Sequence, residues 1–392
     1  MKILCITSRV PWPLEKGDKL RAYHQLRHLG NRHEVILCAI NDTEIHPDAL
    51  EELKKFCSEI HVFPLSKAAV AVNLTKGLFS GLPFQVAYFT NGRARRRIDA
   101  VIRKTSPDRI YCQLIRTAEY ARHHPNIPRI IDYMDVFSKG IERRISKVGV
   151  LKRGAFRSEW KRLLKYEADI FPDFEAHTII STQDRDLIPV KDKNKIHVIP
   201  NGVDTSYFTP QNGTKEFELI FNGNMNYPPN VESAEYLVER ILPLVWKTRP
   251  GVRLLISGAS PSPRVQALQS ERVVVTGWVE DVRKSFARSK ILVAPMQSSI
   301  GLQNKILEAM AMGIPCITTS LSNNAVKAIP DSQVIVADTP EQFTQAIHLL
   351  LDHPDKAEQL GENGYKMVHE KFNWEQTCNA LEKVIIHAGK KV

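Results

Sequence analysis

Residues 299–313, SIGLQNKILEAMAMG, place a carboxylate where an apolar stripe is expected. Ile306, Leu307, Met310 and Ala311 mark the inward face of a helix, yet Glu308 stands among them and Lys305 precedes it by about one turn. A carboxylate taken out of water costs several kcal/mol unless it is paired or hydrogen-bonded. If the helix begins near Gly301, the amides of Gly301, Leu302 and Gln303 form an anion site aided by the helix dipole. Gly301 admits a close backbone approach, and Lys305 can reach back toward the same anion. Glu308 then lies about 10 Å further along the axis, at about 1.5 Å per residue. That separation suits a diphosphate at the helix start and a ribose diol beside the carboxylate. The competing reading is a Lys305–Glu308 pair on a helix flank, worth a few tenths of a kcal/mol.

The elements that must position these groups alternate strand and helix. The apolar runs KILCIT, HEVILCAI, EIHVFPL, DRIYCQL, PRIIDY, AHTIIST and KIHVIP read as strands, separated by helical stretches such as GDKLRAYHQLRHLG. Residues 201–216 are rich in Gly, Pro, Asn and Thr without an apolar period, and read as a linker. The alternation then restarts with FELIFNG, VRLLISG, RVVVTG, KILVAPM and PCITTS, and a last helix follows in FNWEQTCNALEKVIIHAG. The implied fold class is α/β, with two doubly wound Rossmann-like domains facing across a cleft lined by strand C-termini. The expected domains are 1–200 and 217–372, joined by the linker, with the helix 373–392 completing the first. Gly223, Asn224, Ser257, Gly258 and Gly277 fall at strand ends bordering the second domain's part of that cleft.

The 392 residues suffice for two ordinary cores. Residues 1–200 hold 35 Lys and Arg against 23 Asp and Glu, whereas the remainder is nearly neutral, so only the first domain is built to face an anionic partner. No apolar run reaches the roughly 20 residues that span a bilayer, and MKILCITSR is too quickly charged for a secretory signal. The six cysteines show no C-x-x-C pair, which fits a reducing cytoplasm and no zinc site. No D-x-D run implies a divalent metal.

The run LQNKILEAMAMGIPCITT resembles the signature of family 4 retaining glycosyltransferases of the GT-B fold, whose core is L-E-A-M-A-x-G-x-P. VIPNGVDTSYFTP, LIFNGNMNYPPN, VRLLISGASPSP, VVVTGWVEDVRKSFARSKILVAPM and the N-terminal RVPWPLEKGDKLRAYHQLRHLGNRHEV resemble further segments of that family, in order. IDYMDVFS followed by YEADIF resembles a bacterial sugar-transferase subgroup associated with exopolysaccharide (PEP-CTERM type) gene clusters.

The resemblance implies transfer of a sugar from a nucleotide-diphospho-sugar to a lipid-linked or polysaccharide acceptor with retention of configuration, and no further cofactor. It implies that Glu308 accepts the donor ribose hydroxyls. The other glutamate of the E-x7-E signature falls at Ile300, leaving the sugar to Ser298, Ser299 or the amides of Gly301 and Leu302. The Arg and Lys usual after the second domain's first strand are absent from GNMNYPPN, so the diphosphate falls to Lys305, because the leaving group gains negative charge as the bond breaks. The Gly17 loop, with Lys16, Asp18 and Lys19, matches a loop lying against donor and acceptor, or is a plain turn. Gln113 stands where relatives place a His, and its amide has no basicity near neutral pH. Asp132 and Asp135 end a strand; they bind acceptor hydroxyls, or Asp135 caps the next helix. No protein nucleophile is required, because the departing phosphate can take the acceptor's proton.

The basic stretches 92–104 and 139–165 lie beside the apolar 68–89. Together they are expected to hold the protein peripherally on the anionic inner face of the plasma membrane, without nucleic acid; a solvated charged face is the alternative. A nucleotide-sugar epimerase of the same architecture would need a protein acid–base pair, and none is evident. A non-catalytic membrane- or nucleic-acid-binding scaffold would not need Lys305 and Glu308.

Overall fold

The structure, a computed structural model, describes all residues except 15, 147, 299–301 and 390–392. The chain divides into two compact units. One comprises Met1–Pro200 with Glu375–Val392, and the other comprises Asn201–Trp374.

The first unit is built on seven parallel strands: β1 (Lys2–Thr7), β2 (Glu34–Asn41), β3 (Glu59–Pro64), β4 (Arg109–Gln113), β5 (Arg129–Asp132), β6 (Ala176–Ile179) and β7 (Ile196–Val198). Their order is β3-β2-β1-β4-β5-β6-β7. Apolar residues on successive positions explain the burial of both faces, since neighbours along a strand point oppositely. Leu4, Ile6, Ile36 and Cys38 enter one core layer, and Ile3, Cys5, Val35 and Leu37 enter the other.

The second layer is closed by two helices remote in sequence. Tyr23, Leu26 and Leu29 come from Gly17–Gly30, whereas Leu381 and Ile385 come from Trp374–His387. Glu382 fixes the latter helix by accepting from Arg32 Nη1 at 2.7 Å and pairing with His28 and His33 Nε2 at 3.2 and 2.9 Å.

The second unit carries β8 (Phe217–Asn222), β9 (Leu254–Ser257), β10 (Val273–Val275), β11 (Ser289–Ala294), β12 (Cys316–Thr318) and β13 (Ile335–Val336), in the order β10-β9-β8-β11-β12-β13 and all parallel. The sequence reading missed β13. Two residues are too short a run to show a period.

Residues 201–216 do not behave as a free linker. Val203 N donates to Phe372 O at 2.6 Å, Tyr207 stacks under Arg283 at 3.8 Å, and Lys215 Nζ donates to Ser289 O at 2.9 Å. Among the described residues no helix is long and apolar enough to cross a membrane.

The arginine-rich helix Gly92–Thr105 also departs from expectation. Its apolar face, Ala94, Ile98, Val101 and Ile102, is buried in the first unit's core, so it is not available to lipid.

Candidate functional site

The second sheet reverses its strand order between β8 and β11, the point at which open α/β sheets bind ligands beyond their strand carboxyl ends. Two loops meet there without side chains. Gly223 follows β8 with φ +150°, and Gly258 follows β9 with φ +136°. A Cβ on Gly258 would fall 1.9 Å from Gly223 O, so only glycine permits this approach. Gly277, with φ +72°, ends the next strand and accepts from Gly258 N at 3.1 Å.

Lys305 is delivered to this place by the helix Asn304–Ala311. Its Nζ donates to Asn230 Oδ1 at 2.6 Å, lies 3.7 Å from Met296 Sδ, and stands 4.4 Å from the centre of the Phe221 ring. Asn230 is oriented by its own amide, which donates to Asn224 O at 2.9 Å. Lys305 is buried, and among the described residues no carboxylate oxygen lies within 4.0 Å of its Nζ. Burial pushes its ammonium down to about 7, with Glu308 pulling the other way.

Glu308, one turn on, is half-buried and interacts with Asn222 at the end of β8. Desolvation pushes its carboxyl up to about 7 against the opposing pull of Lys305 and Asn222. Asn222 Oδ1 is buried with no hydrogen-bond partner among the described residues. The pair is therefore neither a flank salt bridge nor a satisfied core contact.

Other expectations change. The helix starts at Asn304, not near Gly301, because the Leu302 side chain is drawn into the core and Gln303 keeps an extended backbone as N-cap (φ −90°, ψ 97°). Leu302 and Gln303 thus precede the helix, and Gly301, Ile300 and Ser299 lie outside the described residues. Ser257 is fully buried, with its hydroxyl 2.8 Å from that of Ser285, so it turns inward. Ser298 donates to Glu232 at 2.8 Å. Asn224 is exposed, and its Oδ1 accepts from Asn226 N at 3.0 Å.

In the first unit, Asp132 is not at an open strand end. It is fully buried, 2.6 Å from Arg21 Nε, and accepts from the Tyr111 hydroxyl at 3.0 Å. Its oxygens are committed to holding the helix Gly17–Gly30 on the sheet. Asp132→Asn should therefore lose about 3–5 kcal/mol of stability, because it strands a buried guanidinium. Denaturant unfolding checks this, and a variant of native stability with reduced turnover would return Asp132 to the chemistry.

Gln113 is also buried, and donates to Asp18 O at 2.9 Å. Gly17 opens the helix with room for a side chain, since among the described residues a Cβ would meet only Met134 Cε at 3.7 Å. Asp135 does not cap the next helix, whose N-cap is Val136. It is exposed. The sequence reading missed Arg9, Asp42 and Arg116 on the same strand-end rim, and Asn222 and Asn230 beside Lys305. Their position just beyond strand ends was the available signal. Among the described residues no group of three or more His, Cys, Asp or Glu side chains is placed to hold a metal ion.

Residues 216–353 match the family model of the glycosyl transferases group 1. The whole chain superposes on the Anabaena HepE protein solved with UDP, with a TM-score of 0.71 and 11% identity, covering 98% of this chain and all of that one. The chain is a glycosyltransferase of the GT-B fold. This glycosyltransferase is 20% identical to an uncharacterized 44.6 kDa protein of the Klebsiella pneumoniae cps region, over 97% of this chain and 99% of its relative. It is 27% identical to the Escherichia coli UDP-Gal:α-D-GlcNAc-diphosphoundecaprenol α-1,3-galactosyltransferase over 41% of this chain, spanning under half (46%) of that relative's length.

Proposed function

We propose that this glycosyltransferase moves a hexosyl group from a nucleotide-diphospho-sugar to a lipid-linked or polysaccharide acceptor in exopolysaccharide assembly, with retention and without a metal. The observation that carries the donor assignment is Lys305, a buried cation with no carboxylate within 4.0 Å among the described residues, at the second sheet's reversal point. An ammonium held there complements an anion better than it complements the apo protein. As the C1–O bond to the diphosphate breaks, the leaving oxygen gains charge that Lys305 offsets. The acceptor oxygen bonds to C1 on the same face and passes its proton to the departing phosphate. Glu308 is assigned the ribose diol, and Gly223 and Gly258 let the ligand approach the backbone. The family 4 resemblance supports retention, and the cps-region and undecaprenol-linked relatives support the acceptor class.

UDP-, GDP-, ADP- and dTDP-linked sugars should separate by thermal stabilisation. One series should raise the melting temperature and be slowly hydrolysed, and NMR of the transfer product should show the donor's anomeric configuration. No stabilisation by any nucleoside diphosphate would overturn the donor site, and an inverted product would overturn retention alone.

Peripheral attachment to an anionic inner membrane is supported by a different patch from 92–104. The helix Lys67–Ser80 buries only Asn73 and Gly77, leaving Leu78 and Phe79 exposed, the latter by 88%. Arg162 of the helix Val150–Asp169 donates to Gly77 O and Leu82 O at 2.7 and 3.1 Å, setting that basic helix alongside. Its first turn exposes Val150 and Leu151, followed by Lys152, Arg153 and Arg157. Apolar side chains among cations suit the headgroup boundary. Phe79→Asp with Leu151→Asp should reduce pelleting with anionic liposomes by at least about tenfold, whereas neutralising Arg95, Arg96 and Arg97 should do less. Equal pelleting of wild type and the double variant would remove the patch.

A further inference from the structure

The first sheet has its own reversal point, between β1 and β4. Arg9 follows β1 and Arg116 follows β4. Arg9 is compensated, with Asp18 and Asp42 each 3.1 Å away. Arg116 is not: among the described residues no carboxylate oxygen lies within 4.0 Å of it. Its Nη2 donates to Gln85 Oε1 at 3.0 Å, and its Nε is buried with no partner among the described residues. The guanidinium carbon lies 5.1 Å from the Phe89 ring centre and 4.8 Å from that of Phe137, and the Arg9 guanidinium lies 5.6 Å from the same Phe89 ring.

Two rings thus pack near a cation that, among the described residues, has no carboxylate within 4.0 Å, and a second cation shares the Phe89 ring. Burial and Arg9 hold Arg116 below the ordinary arginine range, at about 10, so it remains charged at neutral pH. Asp18, Asp42 and Asp135 act on it only at longer range, and the first two are committed to Arg9. A desolvated cation without a partner costs stability unless something anionic completes it. Lys305 occupies the corresponding position in the second unit, so each sheet presents a cation with no carboxylate within 4.0 Å among the described residues where its strand order reverses.

We infer that Arg116 is an anion subsite of the first unit, taking a phosphoryl group carried by the acceptor. The inference rests on the transferase reading for the word acceptor, and on the geometry alone for the anion. A planar guanidinium can turn two N–H groups toward two oxygens of a phosphate or diphosphate. The phosphoryl group would come from a lipid diphosphate or from a phosphorylated soluble glycan.

The test is calorimetric titration with inorganic pyrophosphate of the wild type, Lys305→Met, Arg116→Gln and the double variant. Pyrophosphate binding should survive in part in each single variant. Adding Arg116→Gln to Lys305→Met should weaken the remaining binding by about tenfold or more. Should Lys305→Met alone abolish it, Arg116 holds no phosphoryl group, while the donor site stands. Farnesyl diphosphate binding at least about tenfold tighter than pyrophosphate identifies the lipid source, and equal affinity identifies the soluble one.

Because Arg116 also packs on two rings, its variant is paired with a measurement on the unaltered chain. Phenylglyoxal modification of Arg116, followed by mass spectrometry of its peptide, should slow in the presence of pyrophosphate. Unprotected modification at saturating pyrophosphate overturns the inference.

Discussion

Lys305→Met is expected to lower kcat/KM by about 100-fold or more while leaving the apo protein as stable as wild type or more so. Loss of function follows from removing the cation assigned to the leaving diphosphate. The gain in stability follows from the burial of an ammonium with no carboxylate within 4.0 Å among the described residues. Its pKa falls from 10.5 to about 7 on folding, so the folded state disfavours the proton. That penalty is fully present below about pH 7 and fades as the pH rises toward 10.5. The stabilisation should therefore be largest at or below neutral pH, where the melting temperature should rise by a few degrees, and should vanish in alkali. A variant that unfolds more readily at pH 6 yet turns over normally would make Lys305 a structural residue.

Glu308→Gln is expected to raise the dissociation constant of the nucleotide-sugar donor by about tenfold or more, the worth of hydrogen bonds to a charged group. A donor analogue lacking the 2′- and 3′-hydroxyls should bind wild type and variant alike. If the analogue distinguishes them as strongly as the donor does, the carboxylate does not hold the ribose.

The two titrations give this pair opposite proton signatures. At pH 8 Lys305 is mostly neutral, and an arriving diphosphate restores its proton, so donor binding should take up a proton. At pH 6 Glu308 is mostly protonated, since its carboxyl sits at about 7. Hydroxyls donating to it favour the ionised form, so binding should release one. Calorimetry in buffers of different ionisation enthalpy reads both. Lys305→Met should abolish only the uptake, and Glu308→Gln only the release. Buffer-independent enthalpies at both pH values would dissolve the assignment.

Much of the architecture was legible because the central parallel strands are buried on both faces and therefore appear as unbroken apolar runs. KILCIT and FELIFNG needed no other information. β13 lacked the length for any pattern, and the start of the 304–311 helix was misplaced because Leu302 answers to the core and not to helical periodicity. Lys305 and Glu308 stood out as charges in an apolar stripe, and the structure leaves both partly unsatisfied. Their surroundings could not be read in advance: Asn230 is 75 residues from Lys305 along the chain. The same distance problem applies to Asp132, whose partner Arg21 lies 111 residues away. A carboxylate at a strand end looks the same in sequence whether it faces a ligand or a buried guanidinium.

The helix Trp374–His387 has a consequence for the order in which the protein is made. It closes one face of a sheet whose strands all lie before residue 200, and the whole of Asn201–Trp374 is synthesised in between. While the ribosome translates the second unit, the first stands without Leu381, Ile385 and Ala388, which belong to its second core layer. The domain made first is thus the last to mature. A nascent chain stalled before residue 375 would present that bare face to chaperones, and early termination there would sacrifice the first unit although every one of its strands had been translated.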